Sequence, residues 1–186
     1  MDVGEYTMRL FIAFTLPDNT KNNLWMQSEM IKPFAIKGRF VEKHNYHVTL
    51  QFLGEVDEAK LAWIYQAMDA LRDCVAPTLA ISQVTAWRSA KIVCAKYKAK
   101  NVDEVQQALA DRLEKLGFAA ERRAYKPHTT ICRDYAFDLP FSEVVKSVPL
   151  YNKPFVCDTV TLYQTEFTKT GVQYHPLYQV QLRVED

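Results

Sequence analysis

The sequence lacks the features of a membrane-spanning or secreted protein. No hydrophobic run approaches the roughly 20 residues needed to cross a bilayer. The apolar part of the N-terminal segment, "LFIAF", is short enough to be a buried strand. That segment also has no basic region followed by an apolar core and a cleavage site, so it does not match a signal peptide. We therefore expect a cytoplasmic protein without a membrane segment.

Cysteine is scarce and scattered. The four cysteines, Cys74, Cys94, Cys132 and Cys157, form no C-x-x-C pair. This spacing disfavours both a zinc site and a disulfide framework, so we expect four reduced thiols. The sequence offers no good metal site, and we expect neither a metal nor another cofactor.

The chain also lacks an excess of charge of either sign. Its 23 basic and 22 acidic residues leave a formal net charge of +1. A protein that coats duplex nucleic acid usually has a broad basic face, so this balance argues against that class. It leaves room for a local basic cluster that binds one phosphate or the end of a strand. With 186 residues, 48% of them hydrophobic, one compact domain is expected, and we expect a monomer.

The order of predicted elements indicates an α+β fold. A strand is expected over Met8–Leu16, and a helix from Asp18 to about Lys32. A second helix begins near Asp57, and the chain ends in an apparent hairpin that turns at "TKTG". Strands follow one another too often for a doubly wound parallel sheet. Antiparallel sheets with flanking helices fit this order better.

One short pattern, His-x-Thr-x, occurs twice, at His47 in "YHVTLQFLG" and at His128 in "YKPHTTICR". Side chains two positions apart in a strand point to the same face, so each histidine projects beside a threonine, Thr49 or Thr130. The two copies lie nearly half the chain length apart. Two related lobes, each contributing one motif strand to a shared groove, would explain this arrangement.

Two imidazoles facing each other suit a displacement at phosphorus. Histidine titrates near neutral pH, so one ring can accept a proton from the attacking water while the other donates one to the departing oxygen. Threonine hydroxyls can hold the phosphoryl oxygens. A single His-x-Thr is common by chance, but here half of the histidines fall in the pattern. His44 and His175 lack it, and we interpret both as surface or structural residues.

These motifs and their flanks resemble the 2H phosphoesterases, in particular the RNA 2′,3′-cyclic phosphodiesterase branch once called 2′-5′ RNA ligases. The similar segments are "MRLFIAFTLP", "NYHVTLQFLGEV", "KPHTTICR" and "LYQTEFTKTGVQYHPL", which together span nearly the whole chain from Met8. The resemblance implies a bilobal α+β fold with two pseudo-symmetric lobes around a central groove. It also implies a metal-free opening of 2′,3′-cyclic phosphates to 2′-phosphates, with RNA termini or cyclic nucleotides as partners.

The resemblance also implies roles for individual residues. His47 corresponds to the proton donor and His128 to the proton acceptor, although these two roles are exchangeable at the level of sequence. Thr49 and Thr130 correspond to phosphate-binding residues, and Arg133 would support the phosphate or the second motif.

Two features depart from the family pattern. The polar Thr129 stands where the family usually has an apolar residue, which predicts looser packing behind the second motif strand. Residues 1–7 lie outside the pattern and are expected to be an N-terminal extension of a single domain over residues 8–186.

Several alternatives stay open at this point. Cleavage of 2′-5′-linked oligonucleotides and reverse 2′-5′ joining of RNA ends need the same chemistry, and a non-catalytic RNA-binding module could keep the same fold. The charges of Arg122, Arg123 and Lys126 are either solvated or a basic lip for RNA. Tyr46 and Tyr125 are expected to be core residues more than stacking platforms for a base.

Overall fold

A computed structural model describes residues 6–119, 121 and 123–185. The strands are β1 (Thr7–Thr15), β2 (Ala35–Phe40), β3 (His47–Asp57), β4 (Thr78–Trp87), β5 (Ile92–Lys100), β6 (His128–Phe137), β7 (Phe155–Val156), β8 (Thr159–Thr168) and β9 (Gly171–Gln181). The α-helices are α1 (Asp18–Ile31), α2 (Leu61–Asp69), α3 (Val102–Lys115) and the short α4 (Phe141–Val144). Short 3₁₀ turns lie at Lys32–Phe34, Lys43–Asn45, Glu58–Lys60 and Val145–Ser147.

The strands form two antiparallel sheets, which confirms the predicted α+β class. The first sheet has the order β3-β1-β8-β9, and the second has the order β2-β6-β5-β4-β7. All of their strand pairings are antiparallel. The two motif strands therefore belong to different sheets: β3 is an edge strand of the first, and β6 is an inner strand of the second. This is the two-lobe arrangement that the repeated motif predicts.

The hydrophobic core explains why these segments fold as they do. In β1, every residue from Leu10 to Phe14 is buried, as expected for an inner strand covered on both faces. Helix α3 buries Val102, Val105, Leu109 and Leu113, which recur at the spacing of one helix face. Such burial places apolar side chains between each sheet and its helices and leaves the polar motif residues where the sheets meet.

Most predicted elements are observed with small shifts at their ends. The predicted first strand begins one residue earlier, at Thr7, and the closing hairpin turns between Thr168 and Gly171 as expected. Residues 1–5 of the expected N-terminal extension lie outside the described residues. At the second predicted helix, the Asp57 carboxylate accepts a hydrogen bond from the Ala59 amide at 2.8 Å and starts the 3₁₀ turn that leads into α2.

One strand, β2, is absent from the sequence-based prediction. Its central residues are exposed, so it shows none of the apolar alternation that marks a half-buried strand. Its hydrogen bonds come from β6, far along the chain. Gly38 allows the close approach, since a Cβ there would lie 2.6 Å from the Cys132 sulfur. The first half of the chain thus adds an edge strand to the sheet of the second half.

The four cysteines are free, and three of them are buried. Within the described part of the chain, no helix is long and apolar enough to cross a membrane.

Candidate active site

The first motif opens β3 with the predicted alternation. His47 and Thr49 are half-buried, whereas Val48 and Leu50 are buried in the core. The His47 ring is held from both sides. Its Nδ1 lies 2.7 Å from the main-chain carbonyl oxygen of Asn45, and its Nε2 lies 3.0 Å from the Thr49 hydroxyl. The histidine and the threonine of this motif therefore act on each other directly.

The second motif opens β6 in the same way. His128 and Thr130 are half-buried, and the residues between and after them, Thr129 and Ile131, are buried. The Nδ1 atom of His128 lies 2.7 Å from the main-chain carbonyl oxygen of Lys126. Each motif histidine is thus anchored to the carbonyl two residues before it.

These anchors fix the tautomer of both rings. A carbonyl oxygen can only accept, so Nδ1–H must be the donor in His47 and in His128. In the neutral form Nε2 then carries no proton and can accept one. In His47 this nitrogen accepts a hydrogen bond from the Thr49 hydroxyl. Both rings are therefore arranged to exchange protons through Nε2.

Side-chain hydrogen bonds hold the two motif strands together. The Thr129 hydroxyl donates to the main-chain carbonyl of His47 at 2.9 Å and lies 2.7 Å from the Tyr97 hydroxyl. The Tyr125 hydroxyl donates to the main-chain carbonyl of Thr49 at 2.9 Å. One strand of each sheet is therefore tied to the other at the level of the histidines.

The expectation that Thr129 loosens the packing is wrong. Its side chain is 1% exposed, and its hydroxyl bonds on both sides. The Thr129 hydroxyl has one hydrogen, which it donates to the His47 carbonyl, so the Tyr97 hydroxyl must donate to Thr129. A polar residue fits this buried place because both of its hydrogen-bonding functions are used.

The electrostatics of the site favour neutral imidazoles. The pKa of His47 is lowered to about 4, mainly by burial. The hydrogen bond to the Asn45 carbonyl raises this pKa, but the charges of Arg133, His128 and Lys21 lower it further. Burial also lowers the pKa of His128, and the nearby Arg133 guanidinium adds to this effect. The charges of His128 and Arg133 both act on His47, and the hydrogen bond from Thr129 to the His47 carbonyl holds the two motif strands side by side.

Aromatic rings surround both histidines, and sequence reasoning missed them. The centroid of the Phe11 ring is 4.8 Å from that of His47, and the Tyr174 ring meets His47 edge-on at 5.2 Å. The Trp87 ring lies 4.6 Å from His128. These rings come from β1, β9 and β4, so no local pattern in the sequence could have indicated that they lie beside the motifs.

The other two histidines are exposed, as expected for surface residues. His44 is exposed on the 3₁₀ turn before β3, and His175 pairs with Glu166 at 2.5 Å on the exposed hairpin.

Whether the basic residues before the second motif form a lip for RNA stays a prediction, while both flanking tyrosines belong to the core or pack against it. Arg123 forms an ion pair with Glu121, and Arg122 lies outside the described residues. Tyr46 is buried, and Tyr125 is half-buried, both as part of the core or packed against it, which agrees with their expected role.

The described residues form no cluster of potential metal ligands at the candidate active site. Across residues 6–119, 121 and 123–185, no three His, Cys, Asp or Glu side chains lie close enough to hold a metal ion.

Comparison with known proteins identifies the family of the chain. The chain is 30% identical over 177 residues to the RNA 2′,3′-cyclic phosphodiesterase of Methanocaldococcus jannaschii, an alignment that covers 93% of this chain and 98% of that protein. The chain belongs to the RNA 2′,3′-cyclic phosphodiesterase family. A second member, from Escherichia coli, is 26% identical over 173 residues, which is 91% of this chain and 93% of that protein.

The family assignment extends to the fold. The model of the LigT-like phosphoesterases matches residues 16–95, which include the first motif and not the second. The crystal structure of E. coli LigT complexed with 3′-AMP superposes with a TM-score of 0.80 at 24% identity, over 95% of this chain and 99% of that one. The family fold therefore includes the second motif strand, which the family model leaves out.

Proposed function

We propose that this phosphodiesterase hydrolyses the 2′,3′-cyclic phosphate at the 3′ end of an RNA and leaves a 2′-phosphate. The observation that carries the proposal is the pair of imidazoles, each anchored through Nδ1 to the carbonyl two residues before it, which leaves Nε2 as the nitrogen that exchanges a proton. The name of the M. jannaschii relative, which aligns along nearly its whole length, supports the same substrate.

In the proposed reaction, water attacks phosphorus opposite the bridging 3′-oxygen. His128 accepts a proton from the water as the new P–O bond forms. His47 donates a proton to the 3′-oxygen as its bond to phosphorus breaks, which leaves a 3′-hydroxyl and a 2′-phosphate. General acid–base catalysis of this kind contributes about 10²–10⁴-fold.

Three further side chains would stabilise the negative charge on phosphorus. The hydroxyls of Thr49 and Thr130 would donate to its non-bridging oxygens, and the exposed Arg133, whose charge reaches both histidines, would supply a positive charge. The hydroxyl of Thr49 would have to turn from His47 to the substrate. The hydrogen bond from the Thr49 hydroxyl to Nε2 of His47 competes with protonation of that nitrogen. When Thr49 turns to the substrate, Nε2 becomes available for a proton.

The lowered pKa of His47 bears on the assignment of the two roles. Above pH 4 the free site holds a neutral His47, which cannot donate a proton. A bound phosphodiester anion favours the charged imidazolium and would raise this pKa. In the reverse assignment, which the sequence leaves open, His47 would serve as base without such a change.

The first test is hydrolysis of a nucleoside 2′,3′-cyclic phosphate, with the product isomer identified by chromatography. We expect the 2′-phosphate alone, and unchanged turnover in the control variant His44→Ala. A 3′-phosphate product would contradict the proposed geometry of attack. Tight binding without turnover would favour the non-catalytic RNA-binding module.

A second substrate tests which histidine is the acid. When sulfur replaces the bridging 3′-oxygen, the leaving group departs as a thiolate and needs no proton. If His47 is the donor, His47→Ala should lose much less activity on this substrate than on the oxygen substrate, while His128→Ala should be equally impaired on both. The opposite pattern would exchange the two roles.

The same groups could also act on RNA joined 2′-5′. If the 5′-hydroxyl of a second RNA replaces water, attack on the cyclic phosphate forms a 2′-5′ linkage. The reverse of this reaction cleaves such a linkage and restores the cyclic end. Incubating a cyclic phosphate RNA with a 5′-hydroxyl RNA, and separately a 2′-5′ dinucleotide alone, would detect either activity by its product.

A further inference from the structure

A basic surface pocket of about 670 Å³ lies at the β2 edge of the second sheet. Four cationic side chains line it: Lys37 and Arg39 on β2, and Arg88 and Lys91 in the turn between β4 and β5. Asp134 is the one carboxylate among the described residues that line it. We refer to these five residues as the basic pocket.

The basic pocket concentrates charge in a nearly neutral chain. Four positive charges against one negative charge leave a local balance of +3, whereas the whole chain carries +1. The remainder of the chain is therefore net negative. A surface on α3 has the opposite character, with carboxylates at Asp103, Glu104, Asp111 and Glu114. A polyanion would be attracted to one face of the molecule and repelled by another.

The four cations share one carboxylate, Asp134, whose pKa is lowered by Arg39 and also by the charges of Lys37 and Lys91. Arg39 donates to the Asp134 carboxylate from Nε at 2.9 Å and from a terminal nitrogen at 2.5 Å, which lowers the pKa of that carboxyl. Within the described chain, no carboxylate forms an ion pair with Lys37, Arg88 or Lys91. All three of these side chains are exposed, so they are available to an external anion.

The backbone around the basic pocket holds these cations in place. The Asp134 amide donates to the main-chain carbonyl of Lys91 at 2.8 Å, which fixes the β4–β5 turn against the middle of β6. Both residues have a φ of 51°, a conformation that non-glycine residues rarely adopt. Gly38 brings β2 close to Cys132, so Lys37 and Arg39 lie beside the same stretch of β6.

The basic pocket borders the candidate active site along β4 and β6, and its Arg39 pairs across β2 and β6 with Arg133. Arg88 directly follows Trp87, whose ring lies 4.6 Å from that of His128. Asp134 directly follows Arg133, whose charge acts on both motif histidines. These neighbouring positions place the cations beside the residues that would hold the end of a chain molecule.

We propose that the basic pocket binds the phosphate backbone of the RNA on the 5′ side of its cyclic phosphate end. This inference rests on the proposed function. A 2′,3′-cyclic phosphate is always at a 3′ end, so every other nucleotide of the RNA must leave the site on its 5′ side. Unpaired lysines and arginines on the surface bind such a backbone without reading its sequence. The protein thereby favours oligonucleotides over single cyclic nucleotides.

The test compares two substrates in one pair of double variants. Lys37→Ala with Lys91→Ala removes two cations from the basic pocket. Lys115→Ala with Lys153→Ala is the matched control, since it makes the same change of charge on α3 and before β7, at the opposite edge of the sheet. The substrates are a nucleoside 2′,3′-cyclic phosphate and a single-stranded RNA of about ten nucleotides with the same end.

We expect the basic-pocket variant to keep its kcat/KM on the nucleotide and to raise KM on the oligonucleotide about tenfold. Each lost phosphate contact should reduce the slope of log affinity against log salt by about 0.7, so the pair should reduce it by about 1.4. The control variant should match the wild type on both substrates. An unchanged KM and salt slope on the oligonucleotide, or equal losses in the control, would overturn the inference.

Binding measured without turnover separates this inference from the proposed function. Fluorescence anisotropy can follow the labelled oligonucleotide on a His128→Ala background, with and without the two lysine changes. If the wild type hydrolyses neither substrate, the proposed function fails, and anisotropy still decides whether the basic pocket binds RNA. If the nucleotide is hydrolysed but the lysine changes leave oligonucleotide binding unaltered, only this inference fails.

Discussion

Thr129 of the second motif strand donates a hydrogen bond to the main-chain carbonyl of His47 in the first, at 2.9 Å. The bond crosses from one sheet to the other and is partly buried. It is continued by the Tyr97 hydroxyl, which donates to Thr129 at 2.7 Å. The position of one catalytic candidate is thus set by a side chain that neighbours the other.

Replacing this hydroxyl should loosen the junction between the sheets. Thr129→Val preserves the shape but leaves the His47 carbonyl and the Tyr97 hydroxyl without their partner, which costs about 1–3 kcal/mol of unfolding free energy. We also expect kcat to fall more than KM rises, because the His47 backbone would shift. Urea denaturation and steady-state kinetics measure both effects. Thr129→Ser, which retains the hydroxyl, should restore most of the activity, and a serine variant as impaired as the valine variant would contradict this account.

The two motif histidines should act as a unit. Replacing either His47 or His128 by alanine should reduce kcat on the order of 10²-fold or more. The double variant should lose much less than the product of the two effects, since removing one member already disables the proton exchange. His44→Ala and His175→Ala are the controls. Wild-type turnover in a motif variant, with activity lost in a control, would show that the wrong histidines were chosen.

The motif threonines should contribute less than the histidines. Thr49→Ala and Thr130→Ala each remove one donor to a charged oxygen, worth about 1.5–3 kcal/mol, or roughly a 10- to 150-fold loss in kcat/KM. Thr49→Ala should also change the pH dependence, because its hydroxyl lies 3.0 Å from the His47 Nε2 atom. Rate profiles against pH for the two variants would measure this difference. Identical profiles would argue against a role for Thr49 in holding the ring.

The half-buried His47 should make the fold sensitive to acid. Its pKa is about 4 in the folded protein and 6.5 when unfolded, so the unfolded chain binds more protons between these values. The contribution of His47 to stability is therefore fully present above pH 6.5 and is lost as pH falls towards 4. We expect a loss of about 2 kcal/mol, less than the whole shift would give, because solvent partly screens a ring that is not fully buried.

Denaturation curves at pH 7 and pH 4.5 test this expectation. His47→Gln carries no titrating ring, so it should lose less stability than the wild type over the same interval. Parallel losses in the two proteins would mean that other groups control the acid sensitivity.

Hydrolysis should survive removal of divalent metal ions. In the proposed reaction, the two histidines transfer the protons. The threonine hydroxyls and Arg133 stabilise the negative charge on phosphorus, so a chelator should leave kcat/KM unchanged. Dialysis against a chelator, followed by assay with and without added Mg²⁺, Mn²⁺ or Zn²⁺, measures this directly. Loss of activity that a divalent ion restores would place the chain in a different mechanistic class.

Local sequence determined the motifs, most elements and the family. The alternation in His47–Leu50 and His128–Ile131 depends on the period of a strand, and the buried face of α3 depends on the period of a helix. Both periods are set by neighbouring residues along the chain, so they can be recognised without knowing which strand or helix packs against them. The family resemblance rests on the same contiguous segments.

Only the tertiary structure decided what surrounds those motifs. The exposed β2 is a strand because β6 pairs with it, and Trp87 lies beside His128 because β4 and β6 share a sheet. The same holds for the basic pocket, whose cations come from β2 and the β4–β5 turn, and for Thr129, whose polarity appeared unfavourable until its partners were known. Each of these features depends on pairing between residues distant in sequence, and the energy of that pairing is not encoded in any one segment.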